Sequence, residues 1–498
     1  MTEMSENVNP EARKARQLDR AIGAVLASAA GDALGSQYEF GRAFADDRQV
    51  EFGVGHFGHA RGEWTDDTSM AMPILQALAR GDSLNDAATL GHIVEEWFEW
   101  SRSSRDVGVQ TSAVLGALHG EYTEEHARTA ARSVHERSGR SAGNGSLMRT
   151  GPVALGYLGD GEEPALIDAA GRLAQLTHWE DDNIDACVLW CLAIRHAVRT
   201  GELDIRAQLD WLLAERRDRW AGLIDEALAP DAHPRDFTAQ NGWVVRAFQG
   251  ALAAVAGARA ADGRTQVVDV LERAVRGGND TDTVAAIAGS LAGALWGASQ
   301  VPLVWKRILH GWPGVDANGL TDLAFLATRG GKSTSDGWPT AALLPTAQFV
   351  HTPARRHPHD DGVWLGSLSA LADLPSEIGV VVSLSRVGAE QVPEGLESIR
   401  VWLVDQPGHN ANLDGVLTDA VDTIAALRAE GTQVFVHCAE ARSRTAAVAA
   451  LYAIRHCGVA PAQAWSDVAA ALPHFAPAAE LREAVARVAG GHDDSRHR

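Results

Sequence analysis

Apolar residues follow two different spacings along the chain, and the change falls near residue 346. From Arg20 to about Gly297 nearly every segment carries apolar and small residues at helical spacing, as in "AIGAVLASAAGDALG" and "TVAAIAGSLAGALWG". Strand-like alternation is scarce there, and faces of Ala and Gly let helix axes approach closely. The pattern predicts an all-α first domain over residues 18–328.

Beyond residue 346, short β-rich runs alternate with helical segments. The runs "GVWLG", "IGVVVSLS", "IRVWLVD" and "TQVFVHC" predict strands. In "LDGVLTDAVDTIAALRAEG" one helical face carries Leu413, Leu417, Ala420, Ile424 and Leu427. Gly431 is well placed to end that helix. This alternation predicts an α/β second domain over residues 346–488 with a largely parallel sheet.

Two stretches are predicted to lie outside both domains. Residues 329–345, within "RGGKSTSDGWPTAALLPT", are rich in Gly, Ser, Thr and Pro and predict an interdomain linker. The tail "GGHDDSRHR" predicts disorder.

Composition narrows the class of partner. A chain of 498 residues is too long for one ordinary core, which agrees with two domains. The 65 acidic and 44 basic residues give a formal net charge of -21. This charge argues against binding nucleic acid or an anionic membrane through bulk electrostatics, so the expected partners are small molecules or selected proteins.

Targeting and redox signals indicate a cytoplasmic protein. The opening "MTEMSENVNPEARKARQLDR" has no apolar core of a signal peptide, and apolar stretches elsewhere stop short of a membrane-spanning length. Only four cysteines occur, too scattered for a disulfide framework.

Two acidic clusters, "TDDT" at residues 65–68 and "DTDT" at residues 280–283, each directly precede a helical segment. One interpretation is that they cap the helices, because short oxygen-bearing side chains satisfy free N–H groups there. Capping explains one carboxylate and one hydroxyl in each cluster. Paired carboxylates repel unless a cation neutralises them, and oxygen donors without His or Cys suit Mg²⁺ or Mn²⁺.

Five motifs then identify a resemblance. "GDALGSQYEF", "GEWTDDTSMAM", "GNGSLMRTGPVAL", "LTHWEDD" and "GGNDTDTVAAIAGSLAGALWG" occur in the order of the ADP-ribosylglycohydrolase family and cover most of residues 20–300. The resemblance implies an all-α fold, a site for two Mg²⁺ or Mn²⁺ ions, and hydrolysis of the glycosidic bond that links ADP-ribose to a side chain.

The resemblance also implies roles for single residues. It makes metal ligands of Thr65, Asp66, Asp67, Asp280, Asp282 and Thr283. Glu39 matches the acidic residue beside the catalytic centre, where we expect it to orient or deprotonate water or to help protonate the leaving group. The loop lining the ADP-ribose site matches Gly143, Asn144, Gly145 and Ser146. His178 matches a residue near the bound nucleotide.

Each of these matches has an ordinary structural alternative. Glu39 alone could be a surface charge, the Gly-Asn-Gly run a turn, and His178 a helix cap. After "LTH" the chain departs from the strongest family pattern with an acidic stretch, residues 179–182 ("WEDD"). Such a stretch need not contact a doubly anionic pyrophosphate.

A different chemistry is indicated at "VFVHCAEARSRTAAV". "TQVFVHC" reads as a strand and "TAAVAALYAIRHCG" as a helix, so residues 438–444 form the turn between them, a place where free N–H groups bind anions. A Cys438 thiolate there would have a depressed pKa, Arg444 could hold two phosphate oxygens, and Ser443 could donate to the departing sulfur. Alternatively, Cys438 is a buried core cysteine.

Asp405 lies in a "DQPG" turn after "SIRVWLV", where it could deliver a proton to a leaving alkoxide or serve as an ordinary turn residue. With "GVWLGSLSAL" and "VHCAEARSRT", residues 346–488 resemble dual-specificity protein phosphatases. The resemblance implies a phosphocysteine on Cys438, phosphate binding by Arg444 and proton donation by Asp405. Ala441 replaces the family's usual glycine, and Glu440 adds a negative charge to the loop.

The sequence therefore predicts a bifunctional enzyme. A metal-dependent hydrolase of ADP-ribosyl bonds, acting on a modified protein or a small molecule, is fused to a cysteine-dependent phosphatase-like domain that acts on a phosphorylated substrate. The competing hypothesis is a regulatory protein that binds ADP-ribose and phosphate with one or both domains inactive.

Overall fold

The protein is described by a computed structural model over residues 9–259 and 265–490. Residues 491–498, which hold most of the tail predicted to be disordered, lie outside the described residues. The chain forms two compact units. Of the described residues, a helical unit contains 17–259, 265–301 and 308–332, and a C-terminal unit contains 9–16, 302–307 and 333–490.

Helices dominate the chain, and strands cluster after residue 354. The helices are α1 (Pro10–Gly35), α2 (Asp66–Arg80), α3 (Ala87–Ser101), α4 (Val109–Leu115), α5 (Glu124–Ser138), α6 (Glu163–Gln175), α7 (Asp181–Thr200), α8 (Ala214–Ala227), α9 (Val244–Gly257), α10 (Gln266–Arg276), α11 (Thr281–Trp296), α12 (Leu303–Lys306), α13 (Ala317–Ala327), α14 (Leu413–Ala429), α15 (Arg444–His456), α16 (Pro461–Ala471) and α17 (Ala479–Gly490). The strands are β1 (His310–Gly311), β2 (Val315–Asp316), β3 (Arg355–His357), β4 (Asp360–Ser367), β5 (Ile378–Ser383), β6 (Glu397–Arg400) and β7 (Gln433–Cys438). Single turns of 3-10 helix occur at Asn144–Ser146, Gly151–Gly156, Ala207–Trp211, Pro234–Gln240, Ala298–Gln300 and Leu368–Asp373.

Helices α1 and α11 approach closely because both carry glycine where they meet. A Cβ atom added to Gly23 would lie 2.5 Å from the carbonyl oxygen of Gly293, and one added to Gly35 would lie 2.5 Å from Cα of Asp282. The small-residue faces expected from the sequence thus bring the end of α1 against the first turn of α11. Apart from the short antiparallel pair β1 and β2, the described part of this unit is helical, as predicted.

The C-terminal unit is built on a five-stranded sheet in the order β3-β4-β7-β5-β6. Strands β4, β7, β5 and β6 are parallel, and β3 pairs antiparallel with β4 at one edge, which confirms the predicted α/β class. Strand β6 ends at Arg400, although the apolar run predicted a strand as far as Asp405. Pairing stops there because the neighbouring β5 ends at Ser383, the partner of Arg400.

Successive residues of β7 face opposite sides of the sheet and belong to two different apolar clusters of this unit. Val434 and Val436 pack with α14 and α15, and Phe435 packs on the opposite face. The predicted apolar face of α14 is buried, and Gly431 after it takes a left-handed conformation (φ 82°). Among the described helices of either unit, none is long and apolar enough to cross a bilayer.

The contact between α1 and α11 generates a stability prediction. We expect Gly31→Ala to destabilise the protein by about 1–3 kcal/mol, because the added methyl would overlap the carbonyl oxygen of Ala285. Gly222→Ala in α8 is the matched control, since nothing lies within 4 Å of its Cβ position. The control should be neutral or stabilise by up to about 1 kcal/mol. Urea unfolding followed by circular dichroism compares the two variants, and equal effects would contradict the close packing.

Candidate active sites

The first site lies where α1 meets the start of α2. Asp32 of α1 is buried, and its Oδ1 accepts hydrogen bonds from the amide (2.8 Å) and the hydroxyl (2.7 Å) of Thr65. Its Oδ2 accepts from the amide of Thr68 (2.9 Å). Asp32 therefore fixes the first turn of α2, a role that the sequence reasoning missed although the residue lies in the quoted "GDALG" motif.

The side chains at the two helix starts do not act as helix caps. Thr65 precedes α2 and Asp280 precedes α11, yet neither side chain accepts a hydrogen bond from a backbone amide of the first helical turn. Asp280 Oδ2 instead accepts from the side-chain amide of Asn144 (2.8 Å). Capping therefore does not account for the carboxylates that follow in each turn.

Three further carboxyls meet at this point. One oxygen each from Glu39, Asp106 and Asp282 lies within 4.8 Å of the other two. Glu39 follows α1, Asp282 lies in the first turn of α11, and Asp106 comes from the loop between α3 and α4. Asp106 is not predicted from the sequence, because "RSSRDVG" contains no neighbouring ligand-type pattern and only folding brings this residue here.

An unusual backbone conformation holds Glu39 near α11. The next residue, Phe40, and Asn279 both have positive φ values (60° and 63°). The amide of Phe40 donates to the carbonyl oxygen of Asn279 (2.7 Å). In return, the amide of Asn279 donates to the carbonyl oxygen of Gly41 (2.7 Å). Left-handed conformations are costly outside glycine, so this paired contact fixes the strand-like approach of the Glu39 loop to the residues before α11.

Burial and mutual repulsion raise the pKa values of these carboxyls. Burial, followed by the charges of Asp106, Asp280 and Asp32, raises the pKa of Glu39 to about 8. Burial, followed by Asp32 and Asp280, raises the pKa of Asp106 to about 6, against a lowering by His56. Ionising all of these groups together therefore requires a compensating positive charge.

The predicted metal ligands show the same effect. Burial comes first and neighbouring carboxylates second in raising the pKa values of Asp66, Asp67 and Asp282 well above the usual range. In the described part of the chain, the buried oxygens Glu39 Oε2 and Asp67 Oδ1 have no hydrogen-bond partner. A dense set of oxygen donors with unpartnered atoms fits a hard divalent cation.

The predicted Gly-Asn-Gly-Ser loop borders this cluster. Through Asn144 it is hydrogen-bonded to Asp280, one of the predicted ligands. The side-chain amide of Asn183 donates to the carbonyl oxygen of Gly143 (2.7 Å) and to Ser146 Oγ (2.8 Å). These contacts fix the backbone of the loop beside the carboxyls.

His178 lies behind this loop and is almost fully buried. A Cβ atom added to Gly143 would lie 3.3 Å from His178 Nε2, and one added to Gly145 would lie 3.1 Å from its Cε1. Its Nδ1 is 2.7 Å from the hydroxyl of Thr177. Burial, followed by the charge of Arg149, lowers the pKa of His178 well below the usual range, so the ring is neutral. Contact with a nucleotide stays a prediction.

The acidic stretch after His178 is largely neutralised. Glu180 Oε1 accepts from the amide of Ser141 (3.2 Å). Asp182 forms ion pairs with Arg216 (2.7 Å) and Arg219 (2.5 Å). Glu180 and Asp182, two of the acidic residues that depart from the family pattern, are thus bound by other groups of the protein.

The second site lies in the C-terminal unit, at the loop between β7 and α15. Cys438 ends β7 beside Ser367 of β4, and it is 2% exposed. Burial acts to raise its pKa, but the charge of Arg444 and hydrogen bonds from Thr445 and the Glu440 amide hold that pKa below its usual value. The predicted strand, loop and helix thus surround a thiol that ionises more readily.

Ser443 and Asp405 contact each other in this loop. Ser443 Oγ donates to Asp405 Oδ1 (2.7 Å) and accepts from the amide of Ala478 (3.0 Å). The Ser443 proton is therefore directed at Asp405 and not at the sulfur of Cys438, to which the sequence suggested that Ser443 could donate. The guanidinium of Arg444 has its Nε 3.7 Å from Asp405 Oδ2.

These groups open into a cavity of about 340 Å³. It is lined by Gln348, Phe349, Asp405, Cys438, Ala439, Glu440, Arg442, Ser443 and Arg444. His437 lies behind it, fully buried, with Nε2 2.8 Å from Ser383 Oγ. Burial lowers the pKa of His437 to about 4, so it acts as a neutral hydrogen-bonding group.

The two departures from the phosphatase pattern have clear structural consequences. Ala441 has a φ of 57°, the left-handed conformation that glycine adopts without strain. The Glu440 side chain is turned to the amide of Val350, which donates to its Oε1 (3.2 Å). The loop therefore keeps its conformation despite alanine, and the added carboxylate is occupied by a backbone donor.

Comparison with known proteins finds a family match for each half of the chain. Residues 13–334 match the family model for ADP-ribosylglycohydrolase, and residues 364–487 match that for the dual specificity phosphatase catalytic domain. The chain is 30% identical over 293 residues to ADP-ribosylarginine hydrolase Tri1 of Pseudomonas putida (strain GB-1), covering 58% of this chain and 73% of that protein.

Two further relatives are more distant. ADP-ribosylhydrolase ARH3 of Xenopus tropicalis is 25% identical over 331 residues, covering 59% of this chain and 92% of the relative. ADP-ribosylarginine hydrolase Tri1 of Serratia proteamaculans (strain 568) is 24% identical over 300 residues, with coverages of 59% and 75%. Because the first family model spans most of the chain, the protein belongs to the ADP-ribosylglycohydrolase family, and its C-terminal unit carries a domain of the dual specificity phosphatase type.

Proposed function

We propose that the helical unit hydrolyses the glycosidic bond between ADP-ribose and a modified side chain or small molecule, and that it needs divalent cations to do so. The observation that carries this proposal is the convergence of buried and half-buried carboxyls from the ends of α1, α2 and α11 and from the α3–α4 loop, whose pKa values are raised by burial and by one another. The family match supports the reaction class.

Two Mg²⁺ or Mn²⁺ ions would be held by Thr65, Asp66, Asp67, Asp280, Asp282 and Thr283. Such ions, when bound, stabilise negative charge on ribose hydroxyls and water. Asp32 would position the first ligand group, because it holds the amide and hydroxyl of Thr65. Asn144 would do the same for Asp280 and would link it to the substrate loop.

Glu39 and Asp106 would carry the protons of the reaction. Glycoside hydrolysis requires a proton for the leaving group and removal of one from the attacking water. Neighbouring carboxyls with separated pKa values suit such a division. Because the pKa of Glu39 is raised further than that of Asp106, Glu39 would be the proton donor to the leaving group and Asp106 the acceptor of the proton from water.

For the C-terminal unit, we propose cysteine-dependent hydrolysis of a phosphate monoester. The Cys438 thiolate attacks phosphorus, the bond from phosphorus to the ester oxygen breaks, and that oxygen takes a proton from Asp405. Water then attacks the phosphocysteine, gives its proton to Asp405, and the sulfur leaves as a thiolate stabilised by the charge of Arg444. Arg444 binds the phosphate oxygens throughout. A reducing, cytoplasmic location would keep Cys438 active.

Metal-dependent release of ADP-ribose tests the first activity. The panel begins with ADP-ribosyl-arginine, because two of the relatives are named as ADP-ribosylarginine hydrolases. We expect release with Mg²⁺ or Mn²⁺, loss of release with chelator or in Asp282→Ala, and a decrease of about 10²–10⁴-fold in Glu39→Gln. Glu95→Gln on the exposed face of α3 is the control and should keep the wild-type rate. Unchanged release by Asp282→Ala would contradict the proposal.

The raised pKa values predict how metal-free stability depends on pH. Glu39 and Asp106 have folded-state pKa values of about 8 and about 6, above the ordinary values of 4.5 and 3.8. The folded state thus binds protons more tightly, so this contribution is present at acidic pH and is lost as pH rises to 8. With chelator, the melting temperature of wild type should fall relative to Glu39→Gln/Asp106→Asn between pH 5 and 8, by on the order of 2 °C.

Added Mg²⁺ at pH 8 should reverse that fall in the wild type, because the cation supplies the missing positive charge. Parallel melting curves of wild type and double variant, with Mg²⁺ making no difference, would count against a cation at this cluster.

Selective alkylation tests the thiolate of the second site. The pKa values of Cys187, Cys191 and Cys457 are raised, mainly by burial, whereas that of Cys438 is lowered. At pH 6.5, iodoacetamide should modify Cys438 about tenfold faster than the other cysteines, and Arg444→Met should slow it. Orthovanadate should protect Cys438. Peptide mass spectrometry measures each rate, and uniform labelling would argue against an activated thiol.

A further inference from the structure

A stretch between the two family-matched regions is built into the C-terminal unit. The carbonyl oxygens of Ala341 and Ala342 accept from the amides of Ala389 (3.0 Å) and Glu390 (2.9 Å). The amide of Leu344 donates to the side chain of Gln391 (3.1 Å). The residues that follow, 348–352, are called the wall segment below because they border the phosphate-site cavity.

The wall segment contributes Gln348 and Phe349 to the cavity lining. Phe349 is half-buried and also packs against the apolar cluster that includes Leu368, Val381 and Phe435. Because it is anchored on one side and faces the cavity on the other, its ring is a fixed surface beside the loop that carries Cys438.

Glu440 attaches the wall segment to the phosphate-site loop. Its Oε1 accepts from the amide of Val350 (3.2 Å), and its carbonyl oxygen accepts from the hydroxyl of Thr352 (3.1 Å). Its own amide is among the groups that lower the pKa of Cys438. One residue thus joins the wall segment to the sulfur-binding backbone.

A second set of hydrogen bonds supports this attachment. The amide of Thr352 donates to Ser367 Oγ (2.9 Å), and the amide of Ser367 donates to the carbonyl oxygen of Thr352 (3.0 Å). Ser367 pairs with Cys438 at the ends of β4 and β7. These bonds and those of Glu440 hold the loop next to Ala441, whose left-handed conformation is unfavourable for alanine.

We propose that the wall segment, latched by Glu440, is an aromatic wall of the phosphate site that selects phosphate esters of aromatic alcohols over those of small alkyl alcohols. The inference rests on the proposed phosphate site and adds the substrate class. A phosphate held by Arg444 and the loop amides leaves space in the 340 Å³ cavity beside Phe349. An aryl group there packs its ring against that of Phe349, a contact that a small alkyl group cannot make.

Binding to the full-length Cys438→Ser protein tests this, because it separates affinity from turnover. The dissociation constants of inorganic phosphate, phenyl phosphate and ethyl phosphate are measured by calorimetry. We expect phenyl phosphate to bind about tenfold tighter than ethyl phosphate in this parent. Phe349→Leu, added to the parent, should lower that preference about threefold to tenfold and change the affinity for inorganic phosphate much less.

Two variants of Glu440 test its hydrogen bond with the amide of Val350. Glu440→Ala should lower the aryl preference because it releases Val350, whereas Glu440→Gln should keep it because the amide oxygen accepts the same bond. Phe475→Leu is the matched aromatic control, since Phe475 packs against Trp465 (6.0 Å) and does not line the cavity. Melting temperatures verify that each variant folds. If Phe349→Leu does not fold, the aryl preferences of Glu440→Ala and Glu440→Gln test the aromatic wall.

The outcomes separate the inference from the function beneath it. Binding of inorganic phosphate without aryl preference in the parent, or with a preference that neither Phe349→Leu nor Glu440→Ala changes, would overturn the aromatic wall and leave the phosphate site standing. Failure of the parent to bind inorganic phosphate would overturn the phosphate site and the wall together.

Discussion

Carboxylates are costly to remove from water, and the helical unit removes several of them at one point. Asp32, Asp67 and Asp282 are buried, and Glu39 and Asp106 approach Asp282 without a basic side chain pairing with any of them in the described chain. Most of these carboxyls lie on or next to three helix ends. Helices α1 and α11 pack closely because glycines lie at the positions where they meet. Close packing and charge repulsion are thus imposed at the same place, and a bound cation is the natural compensation.

The C-terminal unit handles charge in the opposite way. There, one buried thiol is surrounded by hydrogen-bond donors and by Arg444, so ionisation is favoured despite burial. These donors come from a single continuous segment, in which a parallel strand leads through a tight loop into a helix. The substitution of Ala441 for the usual glycine adds strain, and the contacts of Glu440 with Val350 and Thr352 lie beside it. A local departure in sequence is therefore accompanied by contacts from a distant segment.

The substrates proposed for both units carry phosphate or pyrophosphate groups, and the two sites would bind them by different means. The helical unit presents oxygen ligands, which suit cations that in turn bind ribose hydroxyls and water. The C-terminal unit presents amide donors and a guanidinium, which bind phosphate directly. An ADP-ribosylhydrolase domain and a phosphatase-type domain lie in one chain. Their association favours the proposal that two modifications are removed together.

The sequence by itself determined the elements and the chemistry that depends on neighbours in the chain. Periodicity predicted the helical first domain and the parallel sheet of the second. Cys438 and Arg444 share one turn and helix start, so their proximity follows from local structure. Tertiary structure decided what depends on distant contacts. Asp106 joins Glu39 only because the loop after α3 folds against the ends of α1 and α11. Asp32 and Phe349 acquire their places in the same manner, since periodicity reports which face of an element is buried but not which distant residue it will meet.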